Sequence, residues 1–511
     1  MDPGQGFEVW APVAERVELW LRGESHSMRR REGGWWSARR RAEPGERYGF
    51  RLDGSEPLPD PRSRSQPDGV DGLSAVVDLA FPWTDRDWRP PQVAGLRLYE
   101  LHVGTFTAAG TFDAVIERLQ HLVELGVNAL ELMPVAEFAG ERGWGYDGVD
   151  FWAPHHVYGG SAGLRRLVDA CHARGLAVVL DVVYNHVGPE GNHARRFGPY
   201  VTDRHQTTWG ETLNFDGPDS GPVRDFVLGN AEMWLRDYHI DGLRLDAVHA
   251  IHDSSPRHVL TELADRVHRL GGFVIAEKPR IDRTLLALGV DAQWDDELHH
   301  ALHVLLTGER QGYYRPYPGT IADIARALLE PAALGVDPRR IVAPAQTHDQ
   351  VGNRALGERL AQLVDPRRLR IAAALTLLSP FIPMLFMGEE WGAATPFLFF
   401  SDRGDPEAAA ARTREFAGFG WSADQVPDPE APSTFLRSKL DWSEPEREPH
   451  RSLLAFHRAL LRRRLELAAA PLEVDVAETE GLLVMRRGNL AVRADLRRGE
   501  VAIGEESSRE R

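Results

Sequence analysis

The hydrophobic and polar positions of this chain change period as it is read from the start. Over residues 1 to about 82 apolar residues alternate with polar ones in short stretches, FEVWAP, VELWL and RYGFRLDG, separated by turn residues. Period-two alternation marks half-buried strands, so this segment predicts a small antiparallel β domain. The proline- and serine-rich PLPDPRSRSQPDGVDG and then FPWTDRDWRPPQ read as linker, which puts a boundary near residue 90.

Beyond it, unbroken apolar runs alternate with helical patterns. LRLYELHVG, VNALELMP, LAVVLDVV, DGLRLDA, GFVIAE, DAQW, RIVAPAQTHD and IPMLFMGEE are eight such runs in about 300 residues. Runs without polar alternation suit parallel strands buried on both faces. Eight of them favour a closed barrel over an open doubly wound sheet. Between them, Thr111 is placed to cap a helix with Val115, Leu119, Leu122 and Val123 on one face, ending at Gly126. Further helices are expected from Ser161 to about Arg174, through FVLGNAEMWL, and over HVLTELADRVHRL. After residue 400 the sequence turns irregular and acidic. HRSLLAFHRALLRRRLELA predicts a helix, and PLEVDVAETEGLLVMRRGNLAVRADL predicts short strands followed by a polar tail. The expectation is an α/β protein with a (β/α)8 TIM barrel over residues 91–425, a β domain and linker over 1–90, and a C-terminal helix and β domain over 426–511.

A length of 511 residues suits one barrel-sized domain with smaller companions. The net charge of −16 argues against nucleic acid or an anionic membrane as partner and is compatible with a neutral sugar. Cys171 is the only cysteine, which excludes an intrachain disulfide and a multi-cysteine metal site. Its helical spacing with Leu164, Leu167 and Val168 makes it a core thiol. The N-terminus lacks a basic region followed by an apolar run, and no segment approaches the ~18 apolar residues of a membrane span. A cytoplasmic protein is expected; oligomeric state is open.

The chemistry gathers at the ends of the apolar runs. Asp181 in VVLDVVYNH, Asp246 in GLRLDAVHA, Glu277 in FVIAE and Asp349 in AQTHD each stand at a C-terminal end, and in a barrel those ends share one mouth. One acid there is commonly a helix cap. Four converging carboxylates repel one another, which points to function. Arg244 and Asp246 are two apart and face the same way in a strand, so the guanidinium keeps Asp246 ionised, as a nucleophile requires. Glu277 follows the apolar GFVI, where desolvation favours the protonated acid. That division of labour belongs to retaining glycoside hydrolysis, with carboxyl groups roughly 5–6 Å apart.

DVVYNH, GLRLDAVHA, IAE and THDQ, in this order, resemble the signature segments of the α-amylase superfamily. The resemblance implies Asp246 as nucleophile, Glu277 as acid/base and Asp349 as transition-state stabiliser, with Arg244 orienting the nucleophile. It further implies that His186 and His348 hydrogen-bond a sugar, that Tyr146 in GWGYDG stacks on it, and that Asp181 and Asn185 support the mouth. YELHVGTFTAAGTFDAVIERLQHLVELGVNALELMPVAEF, RGWGYDGV, HDQVGNRALGERL and FMGEEWGAATPFLFFSD resemble the trehalose-releasing group of that superfamily over residues 5 to about 445. Such enzymes cut the α-1,4 bond beside the terminal trehalose of maltooligosyltrehalose, and they carry an N-terminal β-sandwich like a carbohydrate-binding module. Trp209, Asn214 and Arg354 are candidate walls for the trehalose end. No cofactor and no metal are expected. Lys278–Pro279 after Glu277, Thr347 before His348, and a shortened stretch from Tyr313 to Ile341 depart from the pattern and predict looser discrimination. Glycogen branching or debranching enzymes and a non-catalytic carbohydrate-binding protein are the alternatives.

Overall fold

The computed structural model describes residues 6–207, 209–404, 410, 412–414, 416–417, 421–422, 425–467 and 470–505. The first five residues of the N-terminal stretch and 506–511 of the polar tail therefore lie outside the described residues.

Alternation builds two small sheets at the N-terminus. Phe7–Trp10 pairs antiparallel with Trp35–Ala38, which pairs with Arg29–Arg30. The second sheet runs in the order Glu24–Ser27, Val17–Leu21, Arg47–Leu52, Ser74–Ala75. Val17, Leu19 and Leu21 are buried while Glu18 and Trp20 are half-exposed, as period two requires. The sheets meet where the Phe7 and Tyr48 rings lie 4.9 Å apart.

The linker crosses the barrel at the end opposite its mouth and is held there by charge. Asp85 Oδ2 meets Nδ1 of His172 and Nδ1 of His239, each at 2.8 Å. His172 Nε2 lies 3.0 Å from Asp241 Oδ2, and the Trp88 indole donates to Asp241 Oδ1 at 2.7 Å. Trp83 stacks on His239 and Trp88 on His172.

The eight apolar runs form eight parallel strands: Leu98–Leu101, Ala129–Leu132, Ala177–Val182, Gly242–Leu245, Phe273–Ala276, Ala292–Trp294, Ile341–Pro344 and Ile382–Phe386. They pair in that order and close, the eighth against the first. Leu98, Val179, Ile275, Trp294, Val342 and Met384 share one buried cluster with their neighbours on the other strands, so the barrel is filled by side chains. Cys171 is buried as expected. Thr111 accepts from the Ala114 N–H at 3.3 Å, and Gly126 ends the helical stretch in the left-handed region at φ 102°. Between them the chain makes two helices, Phe112–Ile116 and Leu119–Leu125, instead of one. The break rotates Val123 out to 37% exposure, and Leu125 packs inward instead.

At the C-terminus the helix His450–Arg464 leads to a four-stranded antiparallel sheet, Leu472–Ala477, Leu482–Arg487, Leu490–Asp495 and Glu500–Glu505. The last strand corrects the expectation of a wholly polar tail. Its register, Asp495 opposite Glu500 and Leu490 opposite Glu505, makes it an edge strand whose Val501 and Ile503 rest on the core. Among the described residues no helix is long and apolar enough to cross a membrane.

The linker clasp should depend on pH. Burial raises Asp85, but His239 and His172 outweigh it and lower its pKa. Burial lowers His172, but Asp241 and Asp85 outweigh it and raise its pKa. The Asp85 contribution is lost as pH falls through its lowered value, and the His172 contribution as pH rises through its raised value. The clasp is thus complete between the ordinary carboxylate and histidine values, ~4 and ~6.5. Asp85→Asn should cost about 1–3 kcal/mol there, read as a calorimetric Tm difference that shrinks at alkaline pH. A difference constant from pH 4 to 10 would contradict the assignment.

Candidate active site

The site is built outward from one side chain. Arg244, near the end of the fourth strand, is fully buried. Its Nη1 donates to Asp181 Oδ1 at 2.9 Å, Asp181 Oδ2 at 2.8 Å and Asp246 Oδ1 at 2.7 Å, and its Nη2 lies 3.9 Å from Glu277 Oε2. The Trp294 ring lies beneath it, 4.3 Å from the guanidinium carbon. Register explains the convergence: Asp181 is opposite Arg244 on the third strand, and Leu245 is opposite Ala276 on the fifth. Asp246 and Glu277 follow directly on these neighbouring strands, where the spacing is ~4.8 Å. The ladder continues one step past the strands, with the Glu277 N–H donating to Leu245 O at 2.9 Å and the Asp246 N–H to Val182 O at 3.2 Å.

The backbone then turns sharply. Ala247 has φ 40° and ψ 52°, a left-handed conformation that costs an L-residue roughly 1–2 kcal/mol. In return its N–H points at Glu277 Oε2, 2.7 Å away. Asn185 Nδ2 donates to Asp246 Oδ2 at 2.7 Å and to Asp246 O at 2.9 Å. Burial, reinforced by Asp246 and Asp349, pushes Glu277 up to about 7. Burial likewise pushes Asp181 up to about 7 against the pull of Arg244.

On the far side, Thr347 and Gln350 form a capping box that starts the short helix His348–Gly352, so the Thr347 departure serves the helix. Asp349 sits in its first turn with its side chain 47% exposed, and His348 Nε2 lies 3.5 Å from Asp349 Oδ1. Tyr146 Oη lies 2.8 Å from both Asp181 Oδ2 and His348 Nε2. Asp246, Glu277 and Asp349 all keep some exposure, whereas Asp181 and Arg244 are sealed.

Several of the named site residues are engaged by protein groups. Asp181 and Arg244 are buried, and Arg244 holds both Asp181 and Asp246. Both ring nitrogens of His186 face protein oxygens, Asn185 Oδ1 and Tyr146 O. Arg354 is held by Glu309 at 2.5 and 3.0 Å and by Glu358 at 3.2 Å. Asn214 donates to Pro199 O and Pro218 O and accepts from the Gly217 N–H, which is loop packing. Trp209 is 49% exposed, its ring 6.1 Å from His186 and 6.4 Å from His249. Lys278 pairs with Asp282 at 2.5 Å.

Two residues of the site escaped sequence reasoning. Asp296 follows Trp294 of the sixth strand, accepts from Gln350 Nε2 at 3.2 Å, and is pushed well above the carboxylate range by burial and by Glu277. The rule that found the other four acids covers it, but a three-residue strand gives a weak signal. Glu100, the acid inside the first strand, is buried against His348.

For metals, Glu137, His155 and His156 cluster on the hairpin of Ala136–Glu137 and Asp150–Pro154. His155 Nδ1 accepts from the Val157 N–H at 3.2 Å, which puts the proton of the neutral ring on Nε2 and removes that nitrogen as a ligand. Asp181 and Asn185, with their polar atoms engaged as described, offer no free oxygen set either.

The filled barrel and the acids at its strand ends define a glycoside hydrolase of the α-amylase class, and the comparisons agree. A family model described as alpha amylase, catalytic domain, matches residues 59–208, and carbohydrate-binding module 48 (isoamylase N-terminal domain) matches residues 2–66. The chain is 49% identical to the malto-oligosyltrehalose trehalohydrolase of Arthrobacter ramosus over 98% of this chain and 94% of that protein. It is 43% identical to that of Saccharolobus solfataricus over 92% and 86%. A solved structure described as a putative alpha amylase from Salmonella typhimurium superposes with a TM-score of 0.87 at 38% identity, covering 95% and 90% of the two chains. The chain belongs to the malto-oligosyltrehalose trehalohydrolase family.

Removing Arg244 leaves Asp181 buried and unpaired, so Arg244→Leu should destabilise the protein by about 3–5 kcal/mol. Calorimetry checks this, and an unchanged Tm would mean that the network carries no stability.

Proposed function

We infer that this chain is a retaining hydrolase that cuts the α-1,4 bond next to the terminal trehalose of maltooligosyltrehalose and releases trehalose. The observation that carries the chemistry is the pairing of Asp246 and Glu277 on adjacent strands around Arg244, with Glu277 held protonated near neutrality. The substrate rests on family membership over nearly the whole length.

In this reading Asp246, charged and held by Arg244 and Asn185, attacks the anomeric carbon. Glu277 gives its proton to the departing glycosidic oxygen as the carbon–oxygen bond breaks, freeing trehalose and leaving a glucosyl ester on Asp246. Glu277, now ionised, takes a proton from water, whose oxygen displaces Asp246 and restores the α-anomer. Asp349 balances the positive charge that develops on the sugar in the transition state of each step. Trp209 supplies an open aromatic face for a sugar ring at the mouth. The cytoplasm is the compartment we propose, on sequence grounds.

Since the acid must carry a proton and its value is raised, kcat/KM should be sustained up to an alkaline limb near pH 7. A limb in the ordinary glutamate range, ~4.3, would count against Glu277.

Initial rates on maltoheptaose and on a maltooligosyltrehalose of matched length decide the substrate, with product sugars resolved by chromatography. Trehalose should appear from the second, and Asp246→Asn should lower its release by several orders of magnitude. Faster cleavage of maltoheptaose with no trehalose formed would leave only a general α-glucan hydrolase.

A further inference from the structure

Glu100 lies inside the barrel on the first strand, 1% exposed, and both its oxygens go to one residue. Oε2 accepts from the His348 N–H at 3.0 Å, and Oε1 meets His348 Nδ1 at 2.5 Å. The other ring nitrogen also faces oxygen. Nε2 lies 2.8 Å from Tyr146 Oη and 3.5 Å from Asp349 Oδ1. Both Asp181 oxygens already accept from Arg244, so the Tyr146 hydroxyl gives its one proton to Asp181 Oδ2, 2.8 Å away. Tyr146 Oη must then accept from His348, so both imidazole nitrogens carry protons.

We propose that Glu100 is a positioning residue that keeps His348 doubly protonated and so fixes the direction of the hydrogen bonds running from His348 through Tyr146 to Asp181, which Arg244 meets as donor from the other side. The reading rests on the retaining reaction only in its consequence for rate; the protonation state stands by itself. Without Glu100, burial would win and His348 would become neutral, losing a cation 3.5 Å from Asp349. The charged and titratable groups facing His348 are Glu100, Asp349, Tyr146, Arg244 and His102, which burial holds down at about 3, with Glu131 opposite Glu100 on the second strand. Burial, reinforced by Glu100, pushes Glu131 well above the carboxylate range, so Glu131 stays neutral and leaves the Glu100–His348 pair intact. Burial opposes the His348 cation, but Glu100 and Asp349 raise it to about 9.

The test is a nitrogen-15 NMR titration of the histidines in the full chain, with His348 assigned by His348→Gln. In the wild type both His348 nitrogens should be protonated at pH 7.5. In Glu100→Gln, which keeps the shape and removes the charge, the titration should fall from about 9 to below the ordinary ~6.5. Trehalose release by Glu100→Gln should then drop about tenfold or more as pH rises through the new value, a step absent from the wild type. A merely structural Glu100 would lower the rate equally at every pH. A singly protonated His348 in the wild type at pH 7.5 overturns the proposal even if Glu100→Gln does not fold. So does a Glu100→Gln variant whose His348 still titrates near 9.

Discussion

A guanidinium that cannot lose its proton, placed in the dry interior of a closed barrel, is the constraint around which this protein is arranged. Arg244 has no access to water, so its charge must be met by carboxylates brought from other strands. Asp181 meets it bidentately, Asp246 from one side, and Trp294 covers its face. The arrangement does two things at once. It makes burial of the cation tolerable, and it gives one hydrogen bond to Asp246, the group proposed to attack the sugar. Glu277, further from the guanidinium, feels burial more than attraction and stays an acid. The same cation lies at hydrogen-bond distance from Asp246 and 3.9 Å from Glu277.

Much of this could be read from residue order. Eight apolar runs became eight strands, because parallel strands buried on both faces leave a continuous signature that water-facing strands do not. The acids at the ends were legible because one such acid is commonly a helix cap, whereas four at strand ends that share a mouth are not explained by capping. Other features depended on geometry that spacing does not carry. The break near Arg118 left Val123 outside the core, although Val123 fits the helical period. Glu500–Glu505 reads as polar, yet an edge strand needs only every second side chain to be apolar. Arg354, named as a candidate wall, is engaged by Glu309, 45 positions away, as well as by Glu358 four positions on. Glu100 shows the converse: an acid inside an apolar strand reads as a blemish until His348 is seen against it.

The two ends of the barrel use the same chemical vocabulary for different purposes. At the mouth, carboxylates, histidine and tyrosine are tuned to move a proton. At the opposite end, Asp85, His172, His239 and Asp241 form a comparable chain that binds the linker, with Trp83 and Trp88 stacked over the imidazoles. The difference is what the groups face. The mouth leaves Asp246, Glu277 and Asp349 partly open, while tryptophan closes the clasp.

The left-handed turn at Ala247 has a consequence for the life history of the chain. Its strain is tolerated only when the neighbouring strand supplies Glu277 as acceptor, and the carboxylates themselves arrive from the third, fourth, fifth and seventh strands. The contact between Glu100 and His348 spans 248 positions of sequence. A chain that stops short of the seventh strand lacks His348 and Asp349, so closure of the ring is what gathers the four acids at one mouth.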